Sequence, residues 1–387
     1  MSVTAADGFV AAGVACGIKP DDQLDLALVA SDDGRPVTAV AVFTQNRAAA
    51  APVVTSRAHL DATGRRAAAV VLNSGNANAA TGARGLADAE AMCAGVAAEL
   101  GCQPEEVLVC STGLIGIALP IEVVQAGIPE VVAALGRRGG GVAAEAILTT
   151  DTVRKEATVV EHGLVVGGMA KGAAMLAPDM ATMLAVLTTD VAAEADAFQA
   201  ALQQAVDESF NALSVDGCTS TNDTVMLLAS GRGGEADHGM LVDMLTRACV
   251  DLAAQMANDA EGATKVVRIE VAGARNRAEA RRGARAVADS QLVKCSFFGE
   301  DPYWGRVVSE LGSCGIDFDP DRVSITYGGI PVCVGGVAVD HDEGLVGLHM
   351  KGRHVRLRAE LGIGDGFGHV LTNDLTYGYI DENKATS

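Results

Sequence analysis

Thr182 carries the clearest chemical possibility in the chain. It lies in the segment KGAAMLAPDMATML, Lys171 to Leu184, directly after a small residue, downstream of a Lys and a Pro, and just ahead of a strand-like run. A threonine hydroxyl is a weak nucleophile until a base sits beside it. Cutting the chain at Ala181–Thr182 would supply that base, because Thr182 would then carry its own α-amine, with a pKa of about 8. On the residues alone, a Thr before an apolar run is ordinarily a β-former. The spacing leaves both readings open.

Other chemistry-bearing patterns are weaker. The seven histidines (59, 162, 238, 341, 349, 354 and 369) form no HxH or HExxH pattern, so no metal is expected. GIGDGFG, Gly362 to Gly368, lacks the GxGxxG spacing and the strand-to-helix turn of a nucleotide site, and reads as a glycine-rich connection. GRRGGG, Gly136 to Gly141, reads as a mobile, solvated loop between two helices, with anion binding through Arg137 and Arg138 the less favoured alternative. The nine cysteines are odd in number, scattered and never spaced CxxC; most are expected to be small core residues in a reducing compartment.

The elements that must hold Thr182 follow from periodicity. β-branched and apolar runs predict strands near 38–43, 67–73, 106–110, 182–188, 224–229, 265–272 and 354–361, and helical spacing predicts helices over 86–100, 121–135, 192–209, 239–258 and 276–289. Strands and helical blocks without regular βαβ alternation favour an α+β fold, layered sheets covered by helices, over a Rossmann or barrel fold. With 387 residues, 49% hydrophobic and 20% charged, the chain can bury a sizeable core in two or three units. A net charge of −20 without a basic stripe argues against nucleic acid as a partner. No long apolar run or basic leader is present, so a soluble, cytoplasmic protein with no membrane partner is expected.

Seven strings, in order along nearly the whole chain, resemble the ornithine acetyltransferase family, also called glutamate N-acetyltransferases. They are NSGNANAATG (Asn73 to Gly82), CSTGLIG (Cys110 to Gly116), ILTTDT (Ile147 to Thr152), the Lys171 to Leu184 segment, STNDTV (Ser220 to Val225), DAEGATK (Asp259 to Lys265) and DPYWGR (Asp301 to Arg306). The resemblance implies an αββα-like fold and an autoprocessed N-terminal-threonine enzyme of arginine biosynthesis that moves acetyl from N-acetylornithine to glutamate. Some members also accept acetyl-CoA. It implies two matured chains, 1–181 and 182–387, assembled as a heterotetramer or larger, with no organic cofactor or metal.

Residue by residue, Thr182 matches the family's nucleophile and Ala181 the end of the upstream chain. Thr112 and Gly113 match the pair that stabilises the oxyanion, a sensible place for it because N–H groups just past a strand end are free to face developing charge. Thr149, Lys171, Glu261 and Asn383 match substrate-contacting positions, and Ser387 is expected to offer a hydroxyl to a substrate carboxylate. Lys171 would act electrostatically on a carboxylate and on the neighbouring amine, while Glu261 would hold the cationic end of ornithine. Asp301 and Trp304 are expected to fix a loop and a helix start. Ala80, Ala174, Cys295 and Tyr303 depart from the family's commoner Cys, Gly, Thr and Asn. Such changes leave room for a related N-terminal-threonine acyltransferase with another donor or amine, or for an amidohydrolase with water as acceptor.

Overall fold

The computed structural model describes residues 2–175 and 183–384, and the chain divides into two compact units. The first comprises residues 1–211 and 218–256, and the second 212–217 and 257–386. These limits differ from the 1–181 and 182–387 division expected of matured chains, because a cut in the backbone and a boundary of packing are separate properties.

In the first unit, two sheets share a core. One has four strands in the order Phe9–Val14, Leu26–Ser31, Ala69–Asn76 and Val107–Leu114. The other has six, in the order Arg66–Ala67, Val37–Phe43, Thr224–Glu235, Leu184–Ala192, Leu164–Lys171 and Lys155–Glu161. Strand alternation explains the layering. Ala27, Val29, Val70 and Leu72 point to the core shared with Met169, Leu184, Val186, Met226 and Leu228 of the facing sheet. Leu26, Leu28, Ala69 and Val71 point the other way, onto Met92, Val96 and Ile128 of the helices Gly82–Leu100 and Ile121–Ala133. On the far side, the helix Ala195–Glu208 packs on the strand Val37–Phe43. Helices thus cover paired sheets, as the sequence predicts.

The second unit has a seven-stranded sheet in the order Leu213–Ser214, Gly366–Asn373, Val266–Ala274, His354–Glu360, Ser324–Tyr327, Ile330–Val334 and Val337–Ala338. Val267, Ile269 and Val271 alternate with Arg268 and Glu270, so only one face meets the core. That face is covered by the helix Arg277–Asp289, capped by Asn276 through the Glu279 amide, and by the helix Trp304–Ser313, whose Trp304 packs against the same core. Among the described residues, no helix is long and apolar enough to cross a membrane.

The GRRGGG segment differs from the expected solvated linker. It does connect two helices, but Gly136 bridges to Ala11, Arg137 donates to Asp7 and Asp32, and Gly140 already begins the helix Gly140–Ala146. Of its two arginines, Arg137 is committed to carboxylates of the same unit. Of the cysteines, four are buried in the core and the half-buried Cys16 and Cys102 pack against it, as expected of most of them, while Cys314 is half-buried and Cys218 and Cys295 are exposed.

Candidate active site

Three strands of the six-stranded sheet align their ends. Lys171, the last residue of its strand, is in register with Leu184, the first of the next, which is in turn in register with Thr224. Thr182 is two residues before Leu184 in the chain. Ala181, Thr182 and Ser387 themselves lie outside the described residues.

Just beyond this row sits a buried ionic cluster. The Lys171 ammonium donates to the Thr149 hydroxyl at 2.7 Å and lies 3.7 Å from the Asp151 carboxylate. Asp151 also accepts from Lys155 Nζ at 2.7 Å, from the Gly172 amide at 2.6 Å and from the Thr149 amide at 3.2 Å. Burial alone would raise the Asp151 carboxyl, but Lys171 and then Lys155 outweigh it and hold it at about 2. Asp151 is therefore ionised, and it fixes both Thr149 and Lys171. Nearby, Lys19 donates to the Leu24 and Leu148 carbonyls, and its loop is pinned by four amides, Cys16 to Lys19, that all bond to the buried Asp25 carboxylate. Burial lowers the Lys19 pKa.

Thr112 and Gly113 stand near the end of the strand Val107–Leu114, where its parallel pairing with Ala69–Asn76 loses register between Gly75 and Asn76. Thr112 is buried, and among the described residues its hydroxyl has no hydrogen-bond partner. Gly113 has φ +134°, and a Cβ there would collide with Gly75 and Asn76. Only glycine suits that position. Asn76 and Asn78 shape the following turn: the Asn76 amide donates to the carbonyls of Ile117 and Ala118, and Asn78 adopts φ +45°.

Two consecutive residues tie this strand end to the other sheet. The Asn222 amide donates to the Ala77 carbonyl at 2.6 Å and to the Ser111 carbonyl at 2.9 Å, while Asp223 Oδ1 accepts from the Met183 amide at 2.9 Å. The peptide that leads into Thr112 and the one that leads out of Thr182 are thus anchored to neighbouring residues. Asp223 is fully buried; burial pushes its carboxyl well above the usual range, against the Met183 and Ser220 hydrogen bonds.

Glu261 and Asn383 belong to the second unit, which brings them together: the Asn383 amide donates to Glu261 Oε2 at 2.7 Å. Glu261 borders a cavity of about 160 Å³ that is also lined by Asp216, Asp289, Asp374 and Lys294. Burial pushes the Lys294 ammonium down to about 8, and it donates to the Thr372 hydroxyl and the Asn373 carbonyl. Four carboxylates around one small cavity suit a cationic ligand group.

The structure pairs Thr149 with Lys171 and Glu261 with Asn383, four positions that the resemblance names together without pairing them. It adds Asp151, Asn222 and Asp223, which sequence reasoning quoted within motifs but gave no role. The signal for them was a polar group directly beside a strand-forming run, where a buried side chain must find backbone partners.

The ArgJ family model matches residues 10–386. The chain is 48% identical over 389 residues to the arginine biosynthesis bifunctional protein ArgJ of Thermobifida fusca, covering 100% of each chain. It is 46% identical over 397 residues to that of Mycobacterium tuberculosis, covering 100% of this chain and 96% of the other. Among solved structures, arginine biosynthesis bifunctional protein ArgJ of Bacillus halodurans matches at 34% identity and a TM-score of 0.50, over 51% of this chain and 97% of that one. The chain belongs to the ArgJ family and is an acetyltransferase of arginine biosynthesis.

Proposed function

We propose that this enzyme cuts itself between Ala181 and Thr182 and then moves acetyl from N-acetylornithine to glutamate through an acetyl-Thr182 intermediate. In this reading the Thr182 hydroxyl gives its proton to its own α-amine and attacks the acetyl carbonyl. The Thr112 hydroxyl and the Gly113 amide stabilise the oxyanion. The proton held by the α-amine passes to the departing ornithine amine, and glutamate takes the acetyl group in the second half-reaction. Lys171, held by Asp151 and Thr149, pairs with a substrate carboxylate, and Glu261 with Asn383 takes the cationic end of ornithine. Ser387 offers a further hydroxyl to a carboxylate. Acetyl-CoA is a second donor, which accords with the description of the relatives as bifunctional. The two matured chains assemble as a heterotetramer or larger.

The observation that carries this reading is the pairing of anchors at residues 222 and 223. They hold Ser111, next to Thr112, and Met183, next to Thr182, as a nucleophile and an oxyanion donor acting on one carbonyl require. The length of the solved relative supports the cut, since nearly all of that chain corresponds to about half of this one.

The test is mass analysis and N-terminal sequencing of freshly purified protein. Fragments of roughly 18 and 21 kDa are expected by length from 39.3 kDa, the second beginning at Thr182. Thr182→Ala should stay a single inactive chain. An intact wild-type chain with full acetyltransferase activity refutes the N-terminal-threonine mechanism. Ornithine release indifferent to glutamate would replace the transferase reading with an amidohydrolase.

A further inference from the structure

Lys19 stands beside the ionic cluster of Thr149, Asp151 and Lys171 and has no task in the mechanism above. Its loop is closely fixed. The Cys16 amide bonds to Asp25 Oδ1 at 2.7 Å, and the amides of Gly17, Ile18 and Lys19 bond to Oδ2 at 3.1, 2.6 and 2.9 Å. Those amides fill the lone-pair positions of the Asp25 carboxylate. The Lys19 ammonium turns instead to two carbonyls, Leu24 at 2.9 Å and Leu148 at 2.6 Å, and makes no ion pair among the described residues.

The side chain joins two parts of the site. Its stem runs beside Gly75, where φ is +95° and an added Cβ would come within 3.1 Å of Lys19 Cγ. Gly75 is in register with Gly113, on the strand that carries Thr112. Its head holds the carbonyl of Leu148, the residue before Thr149, and the Thr149 hydroxyl in turn accepts from the Lys171 ammonium at 2.7 Å. Burial, the largest influence, lowers the Lys19 pKa; Asp25 raises it, Lys171 lowers it and Asp151 raises it, so the two ammonium groups act on each other. A half-buried cation without an ion pair, set near a second cation, is unfavourable until an anion joins them. With 49 acidic residues to 29 Lys and Arg, this chain does not lack carboxylates that could have paired it.

Resting on the proposed role of Thr149 and Lys171 as a carboxylate site, we propose that Lys19 is the second cation of that site and, with Lys171, holds the α-carboxylate that N-acetylornithine and glutamate have in common. An ammonium carries three N–H groups, and two are given to Leu24 and Leu148, which leaves the third for a carboxylate oxygen. The carboxylate is attached to the same carbon as the nitrogen that loses acetyl in the first half-reaction and gains it in the second. One recognition site therefore serves both. The Leu148 carbonyl keeps the head of Lys19 in place, so its charge is preorganised. No proton or covalent bond moves on Lys19.

The test is Lys19→Met and Lys19→Arg in the full chain, beside the wild type, with kcat/KM measured on N-acetylornithine at fixed glutamate and on p-nitrophenyl acetate, an acetyl donor without a carboxylate. Methionine keeps a stem over Gly75 and removes the charge; arginine keeps the charge and the N–H donors. The ratio of the two kcat/KM values is expected to fall roughly 10- to 100-fold with methionine, the range for one hydrogen bond to a charged group, and mainly through KM for N-acetylornithine. With arginine the ratio is expected to stay within about fivefold of the wild type. A loss shared equally by the two donors leaves the ratio unchanged and overturns the proposal, because Lys19 would then be serving the fold. So does a methionine variant that treats both donors as the wild type does, or an arginine variant whose ratio is as low as the methionine variant's. Where the methionine variant fails to fold, the arginine variant decides alone: a ratio beyond about fivefold of the wild type overturns the proposal. Lys171→Met keeps the parent reading apart. If it too leaves the ratio unchanged, the carboxylate site lies elsewhere and the parent reading has failed; if it lowers the ratio and Lys19→Met does not, only the role of Lys19 is refuted.

Discussion

Replacing Asp151 with asparagine removes an anion that, among the described residues, Lys155 and Lys171 share. The side chains of Asp151 and Lys155 are fully buried and that of Lys171 is 4% exposed, so neither ammonium can turn to water. Stranding a buried charge by deleting its partner costs roughly 3–5 kcal/mol, which at about 2–4 °C per kcal/mol for a unit of this size lowers the melting temperature by about 6–20 °C. The pH dependence gives an independent figure. The native carboxyl is held at about 2 against 3.8 for the free group, a difference of roughly 2 kcal/mol at 1.36 kcal/mol per unit. The folded pKa is depressed, so this stabilisation is complete above the unfolded value and lost as the pH falls through the folded one. Melting curves of wild type and Asp151→Asn between pH 7 and pH 2 should therefore converge by roughly that amount at the acid end. Lys171→Met in the Asp151→Asn background should recover part of the loss, since it removes a buried cation whose neighbouring carboxylate the first change took away. A variant that melts within about 2 °C of the wild type at neutral pH would refute the reasoning, because the lysines would then have found other partners.

Thr112→Ala removes a hydroxyl without a partner among the described residues, so the melting temperature should hold while kcat falls roughly 100- to 1000-fold; unchanged turnover would show that the hydroxyl does not face the oxyanion. Glu261→Gln keeps an oxygen for the Asn383 amide but loses the charge, so KM for N-acetylornithine should rise roughly tenfold or more while the fold is kept. Steady-state kinetics with N-acetylornithine varied at fixed glutamate decides it, and an unchanged KM would remove Glu261 from the donor site.

How legible each element was in the sequence depended on how many of its faces are buried. The helix Arg277–Asp289 buries Ala280, Gly283, Ala284, Val287 and Ala288 and exposes most of its charges, a spacing that reads directly as one helical face. The strand Val266–Ala274 buries its alternate residues in a core on one side and sets Arg268 and Glu270 on the other, and it was equally readable. Leu26–Ser31 was missed because helices cover one face and a second sheet the other. All six of its residues are buried, and a period of two disappears when both sides are apolar. Leu164–Lys171 and Phe9–Val14 were missed for the same reason, having glycines and alanines where a one-sided strand would show polar residues. For the site, Thr149, Lys171, Glu261 and Asn383 were legible only through resemblance, and their pairing was not legible at all, because the partners are 22 and 122 residues apart in the chain.

The same double burial explains where the site must be. Between two sheets with apolar residues on both faces, a charge has no partner, since the backbone N–H and C=O groups are spent on the ladders. They become available only where strands stop. Asp151 takes the amides of Thr149 and Gly172 there, Asp223 that of Met183, and Asp25 those of Cys16 to Lys19, while Asn222 serves the carbonyls of Ala77 and Ser111. Each buried polar side chain is thereby locked to a backbone that the core already fixes. Preorganisation of this kind is what stabilisation of an oxyanion demands, because donors that need not move cost nothing at the moment charge develops. At the same strand end the ladder becomes irregular one residue past the Gly75–Gly113 pair, beside a Thr112 hydroxyl without a partner among the described residues.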